Sequence, residues 1–149
     1  MNARRPLARV AAVGALLALS ACEKPAPIVT VVSGGKSVYT EAGTWCFEDQ
    51  TGDQCAERAS GRTSIPVRAG ETVGVDVDEE LAEGGWYLEL SAPDGQGQEP
   101  QRSAPQKGHY FSFTAPSLAE GSSLQLDVRA AAEGEEPRGE WRFSLTPAQ

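Results

Sequence analysis

Four stretches of this chain alternate strictly between apolar and polar residues. Val73, Val75 and Val77 are interleaved with Thr72, Gly74 and Asp76. Trp86, Leu88 and Leu90 are interleaved with Tyr87, Glu89 and Ser91. Leu124, Leu126 and Val128 alternate with Gln125, Asp127 and Arg129, and Trp141, Phe143 and Leu145 with Arg142, Ser144 and Thr146. Successive side chains of an extended strand point to opposite faces, so this pattern builds half-buried antiparallel strands. A helix would need its apolar residues every three or four positions. Shorter candidates at Ile28–Val32, Ser37–Glu41, Thr44–Phe47, Thr63–Val67 and His109–Thr114 raise the expectation to about nine strands. Glycine, proline, serine and aspartate clusters such as Ser33-Gly34-Gly35, Arg68-Ala69-Gly70 and Pro93-Asp94-Gly95 separate them. One helical turn is expected at Asp78–Glu83, with Glu79, Glu80 and Glu83 in solvent and a stop at Gly84-Gly85.

So many short strands in one domain predict an all-β, antiparallel, two-sheet sandwich of immunoglobulin-like type with about seven to nine strands. A small closed β-barrel has the same periodicity and is the alternative. Cys46 and Cys55 are too close in sequence to pin two sheets across a core. Their polar, glycine-containing intervening segment instead predicts a disulfide that ties a hairpin or a strand end to its loop. In the chain-entropy picture, closing so short a loop stabilises the fold by roughly 2.5–3 kcal/mol. With one distant histidine, the pair offers no zinc spacing.

The start of the chain predicts where it works. Arg4, Arg5 and Arg9 precede the apolar run Val10–Leu19, which closes on Leu19-Ser20-Ala21-Cys22. A positive segment, a short apolar segment and small residues before a cut make a secretory signal peptide. Val10–Ala21, twelve residues, would span ~18 Å as helix, well short of the ~30 Å hydrocarbon core. The Leu-Ser-Ala-Cys sequence resembles a bacterial lipobox, which implies cleavage before Cys22 and a diacylglyceryl group on its thiol. The expected organisation is signal peptide 1–21, a short proline-containing tether 22–27 and one β domain 28–149. The cell membrane would be contacted through the lipid, with the domain on its extracytoplasmic face. The 13 basic residues lose three with the signal peptide while all 21 acidic ones remain, so 10 face 21 and the mature charge is −11. That balance excludes a nucleic-acid partner, which needs a basic footprint, and a polybasic second contact with the bilayer.

The segments Lys24-Pro25-Ala26-Pro27-Ile28-Val29-Thr30, Ile65-Pro66-Val67-Arg68-Ala69-Gly70-Glu71-Thr72-Val73, Gly85-Trp86 and Gly139-Glu140-Trp141-Arg142-Phe143 together resemble a family of uncharacterised actinobacterial lipoproteins. The resemblance implies lipoprotein topology and a β-rich domain. It carries no activity and no catalytic residue.

No catalytic constellation stands out. His109 is the sole histidine and lies in an aromatic strand beside Phe111 and Phe113, at the expected core rim. All three cysteines are committed to lipid or disulfide. Asp49 with Asp53, and Asp76 with Asp78, are acidic pairs with oxygen ligands suited to calcium, but neither fits an EF-hand loop. No metal or cofactor is therefore expected. Trp45, Trp86 and Trp141 fall on apolar-phase positions and read as core. Ser91–Lys107, rich in proline, glycine, glutamine and serine, is longer than a usual inter-strand connection and is the candidate binding loop. The expectation is a non-catalytic binding or scaffold module recognising a protein or another cell-envelope partner. The alternative is a calcium- or ligand-dependent envelope protein or enzyme using the surface carboxylates.

Overall fold

The computed structural model describes residues 25–47, 55–57, 63–93, 99–131 and 136–149. Within them the alternating runs are strands: β1 (Ile28–Ser33), β2 (Lys36–Glu41), β3 (Thr44–Trp45), β4 (Ala56–Glu57), β5 (Thr63–Val67) and β6 (Thr72–Val77). After one short helix, α1 (Glu79–Gly84), come β7 (Trp86–Ser91), β8 (Gln101–Arg102), β9 (Tyr110–Thr114), β10 (Leu124–Ala130) and β11 (Gly139–Pro147). One sheet has four strands in the order β2-β1-β6-β9. The other has seven, running β4-β3-β11-β10-β7-β8 with β5 added beside β11. The end strands of the two sheets do not pair with one another, so the fold is an open two-sheet sandwich and not a closed barrel. The strand number exceeds nine because β4 and β8 are two-residue pieces that acquire partners only in the folded chain.

The ladders are antiparallel with one exception. β5 runs parallel to β11, with Phe143 opposite Thr63 and Leu145 opposite Ile65. The nine-residue β11 is long enough to serve two strands along one edge. Gly139 and Glu140 pair with β3, and residues 143–147 pair with β5.

The apolar phase of each strand meets in one core. The smaller sheet contributes Val29, Val31, Val73, Val75 and Val77. The larger contributes Ile65, Leu126, Val128, Trp141, Phe143 and Leu145. Register explains the layering: Val31 stands between Val38 and Val75, and Val75 in turn opposite Phe111. All three tryptophans are buried. Trp45 and Trp141 lie 5.7 Å apart, and Trp45 meets Phe47 edge-on at 6.2 Å. Two of the three buried indoles donate a hydrogen bond, while Trp45 Nε1 finds no partner among the described residues. Trp86 Nε1 donates to the Gly108 carbonyl at 2.9 Å, and Trp141 Nε1 to the Pro27 carbonyl at 2.9 Å. That last bond, with Ala26 only 5% exposed, places Ala26 and Pro27 inside the packed domain. The folded unit thus includes the two residues before β1.

Local chemistry sets the turns. Gly34 and Gly35 have φ of 55° and 76°, and join β1 to β2 through a two-residue loop that L side chains resist. Asp78 precedes α1 without capping it, because its carboxylate is engaged elsewhere. Asp78 Oδ2 accepts the Ile28 N–H at 2.7 Å and clasps the start of β1. Leu81 and Ala82 are the buried face of α1, and Glu79 and Glu83 point to solvent.

Candidate functional site

The sequence-derived candidates separate in space. Cys22, Asp49 and Asp53 lie outside the described residues. Cys46 and Cys55 form a disulfide, with a Cα–Cα distance of 4.3 Å. Because Trp45 pairs with Ala56, the next cross-strand position is Cys46 opposite Cys55, and the bond clasps the mouth of the β3–β4 hairpin. Asp76 and Asp78 are both exposed, but Asp78 is bonded to Ile28. Among the described residues no three His, Cys, Asp or Glu side chains converge closely enough to hold a metal ion. His109 is exposed just ahead of β9, with Nδ1 3.1 Å from the Val77 carbonyl.

The 91–107 segment is not a free loop throughout. Ser91 ends β7, and Gln101 and Arg102 return as β8 alongside Leu90 and Glu89. Ser103 Oγ accepts the Leu88 N–H at 3.0 Å, and Gln106 bridges Trp86. Its second half is therefore an edge of the larger sheet.

The two outer faces of the sandwich differ in chemistry. On the larger sheet, register aligns Arg102, Glu89, Asp127 and Arg142 in one row. Tyr87, Arg129 and Glu140 form the next. Arg129 sits at the centre, 2.5 Å from Glu89, 3.1 Å from Glu140 and 3.7 Å from Asp127. Arg102 closes on Glu89 at 2.6 Å and stacks 4.5 Å over the Tyr87 ring, while Arg142 pairs with Glu140. Burial pushes the Asp127 carboxyl above its ordinary value, and the Glu140 charge adds to this against the Gln125 hydrogen bonds, Arg129 and Arg142. Burial likewise raises the Tyr87 phenol. For Arg129 burial acts downward, but Glu140, Glu89 and Asp127 outweigh it, and the guanidinium stays charged. Three arginines face three carboxylates, so the cluster satisfies itself and braces the sheet.

The smaller sheet presents an open polar and aromatic face. Register sets Tyr39, Thr30, Asp76 and Tyr110 in one row across all four strands. Tyr39 is 69% exposed and Tyr110 56%. In the adjoining row are Ser37, Val32, Gly74 and Ser112. Gly74 matters because it has no side chain: a Cβ there would lie 2.3 Å from the Tyr110 hydroxyl. The phenol end of Tyr110 therefore rests over Gly74 and forms one wall of a shallow cavity of about 330 Å³. The Gly34-Gly35 turn, Ser37 and Thr72 complete it.

A second hollow, about 420 Å³, lies where Ser33 and Lys36 of the smaller sheet approach Pro66 and Pro147 of the larger. Glu71 holds its floor, accepting Ser33 Oγ at 3.1 Å and the Arg68 N–H at 3.2 Å. Sequence reasoning singled out neither tyrosine and none of the six ionic residues. Apart from Arg102, which lay in the segment read as a loop, their one signal was their place on the polar phase of extended segments.

The fold and faces define an all-β sandwich with one self-paired face and one open face. Comparison of the chain with known protein families, curated proteins and solved structures finds no match.

Proposed function

We propose that this chain is a lipid-anchored, extracytoplasmic binding module of the cell envelope and not an enzyme. The observation that carries the reading is Leu19-Ser20-Ala21-Cys22 at the end of a short apolar run behind three arginines. Ala26, packed in the domain, lies four positions after Cys22. Four residue steps reach at most ~14 Å, so the Ile28 end of β1 stands close to the bilayer. The Gly34-Gly35 turn lies at the other end of β1, ~17 Å along the strand at ~3.3 Å per residue. The binding part of the reading is supported by the open face of the smaller sheet, whose exposed tyrosines have no structural task in the core.

The test is expression in a lipoprotein-processing host with an alkyne-labelled fatty acid, followed by intact mass. Label on the native chain and none on Cys22→Ser is the expected result. An unacylated chain, or one retaining residues 1–21, refutes the anchoring. Crosslinking in cells from probes at position 39 and within 99–107 then compares the two candidate surfaces.

A further inference from the structure

We propose that the outer face of the β2-β1-β6-β9 sheet binds a neutral glycan, with a pyranoside ring packed against Tyr110 and the chain running toward Tyr39. The inference deepens the binding-module reading and rests on it.

The shape is built, and its cost is visible. Glycine inside a strand is unfavourable by roughly 0.5–1 kcal/mol relative to alanine, and strand glycines mark sites of close approach. Here Gly74 lets the phenol end of Tyr110 lie down on the sheet and wall a cavity. Tyr110 remains 56% exposed, so this arrangement does not complete the core. It presents an aromatic surface to the outside.

The chemistry matches a sugar. A pyranoside has C–H faces that pack on an aromatic π-surface and a rim of hydroxyls that both donate and accept hydrogen bonds. The cavity supplies Ser37 and Thr72 hydroxyls together with the peptide groups of the Gly34-Gly35 turn. The row beyond it supplies the Thr30 hydroxyl and the Asp76 carboxylate. Tyr39 and Tyr110 stand at opposite ends of that row, three strand spacings or ~14 Å apart. That distance suits a short run of sugar units stacked at both ends.

Charge selects a neutral ligand. Lys36 is the single charged residue lining the cavity, and the Glu71 carboxylate lies beside Gly34 at the same rim. The whole chain is net −8. A polyanionic glycan would meet repulsion with no cationic clamp to offset it. The ionic face of the larger sheet is already satisfied by its own partners.

The test is affinity electrophoresis of the full-length chain in mild detergent, through gels cast with a β-glucan, a mannan or dextran. A polyuronate serves as the anionic control. The expected result is retardation by at least one neutral polysaccharide and none by the polyuronate. Tyr110→Ala should weaken it roughly tenfold or more, while Tyr110→Phe keeps most of it. Gly74→Ala is the sharper probe. Its methyl displaces the exposed phenol end, so it should reduce binding without lowering the melting temperature. Retardation unchanged in Tyr110→Ala and Gly74→Ala overturns the site. No retardation by any neutral polysaccharide, with a protein crosslinked in cells from position 39, overturns the glycan and leaves the binding module standing. No retardation and no crosslink from either surface defeats both.

Discussion

Replacing Arg129 with methionine keeps an unbranched chain of similar length opposite Tyr87 and removes the cation at the centre of the larger sheet's outer face. Three carboxylates are then left facing one another. Their side chains are 11% (Glu89), 17% (Glu140) and 6% (Asp127) exposed, so water screens them poorly. Breaking a buried ion pair by deleting one partner costs about 3–5 kcal/mol. Arg129 is itself 24% exposed, and Arg102 and Arg142 stay near Glu89 and Glu140. The lower end applies, ~3 kcal/mol, equivalent to a fall in Tm of roughly 10 °C for a domain of this size. Urea denaturation at pH 7 and again near pH 4 measures it. The loss comes from repulsion among negative charges, so the variant's deficit should shrink in acid, where that repulsion is relieved. Adding Glu89→Gln and Glu140→Gln should recover more than half of the loss. A deficit below ~1 kcal/mol, or one of equal size at both pH values, refutes the argument that this network is buried and mutually dependent.

Asp127 has a folded pKa raised above 3.8, so its share of stability is fully present below the unfolded value and is lost as pH rises through the folded one. The stability gap between Asp127→Asn and the native chain should change across that window and be flat above it. An Asp127 carboxyl that titrates at or below 3.8 by NMR contradicts this. Gly139→Ala should destabilise by about 1–3 kcal/mol, since its methyl would lie 2.5 Å from the Trp45 ring and 2.8 Å from the Trp141 ring, neither free to move. Equal denaturation midpoints for the native chain and Gly139→Ala would count against that packing. Cys46→Ser with Cys55→Ser should lower stability by up to ~2.7 kcal/mol, and unreduced native protein should yield no titratable thiol from either position.

The sequence by itself determined the longer strands, the core and the clasp. Period two is a local property of an extended chain, so Thr63–Val67, Thr72–Val77 and Trp86–Ser91 could be placed without knowing their neighbours. The same phase put Trp45, Trp86 and Trp141 inside, and the short spacing of Cys46 and Cys55 required a local disulfide. Only the tertiary structure decided what lies beside what on the outer faces. Glu89 lies 40 positions before Arg129, which faces Glu140 across the β10–β11 hairpin, and the three meet only through the β7-β10-β11 register. Tyr39 and Tyr110 share a row because β2 and β9 are the two edges of one sheet, and Gly74 lies between those edges. The parallel β5–β11 ladder and the short β8 are likewise products of assembly. The physical reason is common to all of them. Alternation states which side of its own strand a residue occupies, but cross-strand neighbours follow from strand order and register. Those are fixed when the whole core closes, and not by any segment alone.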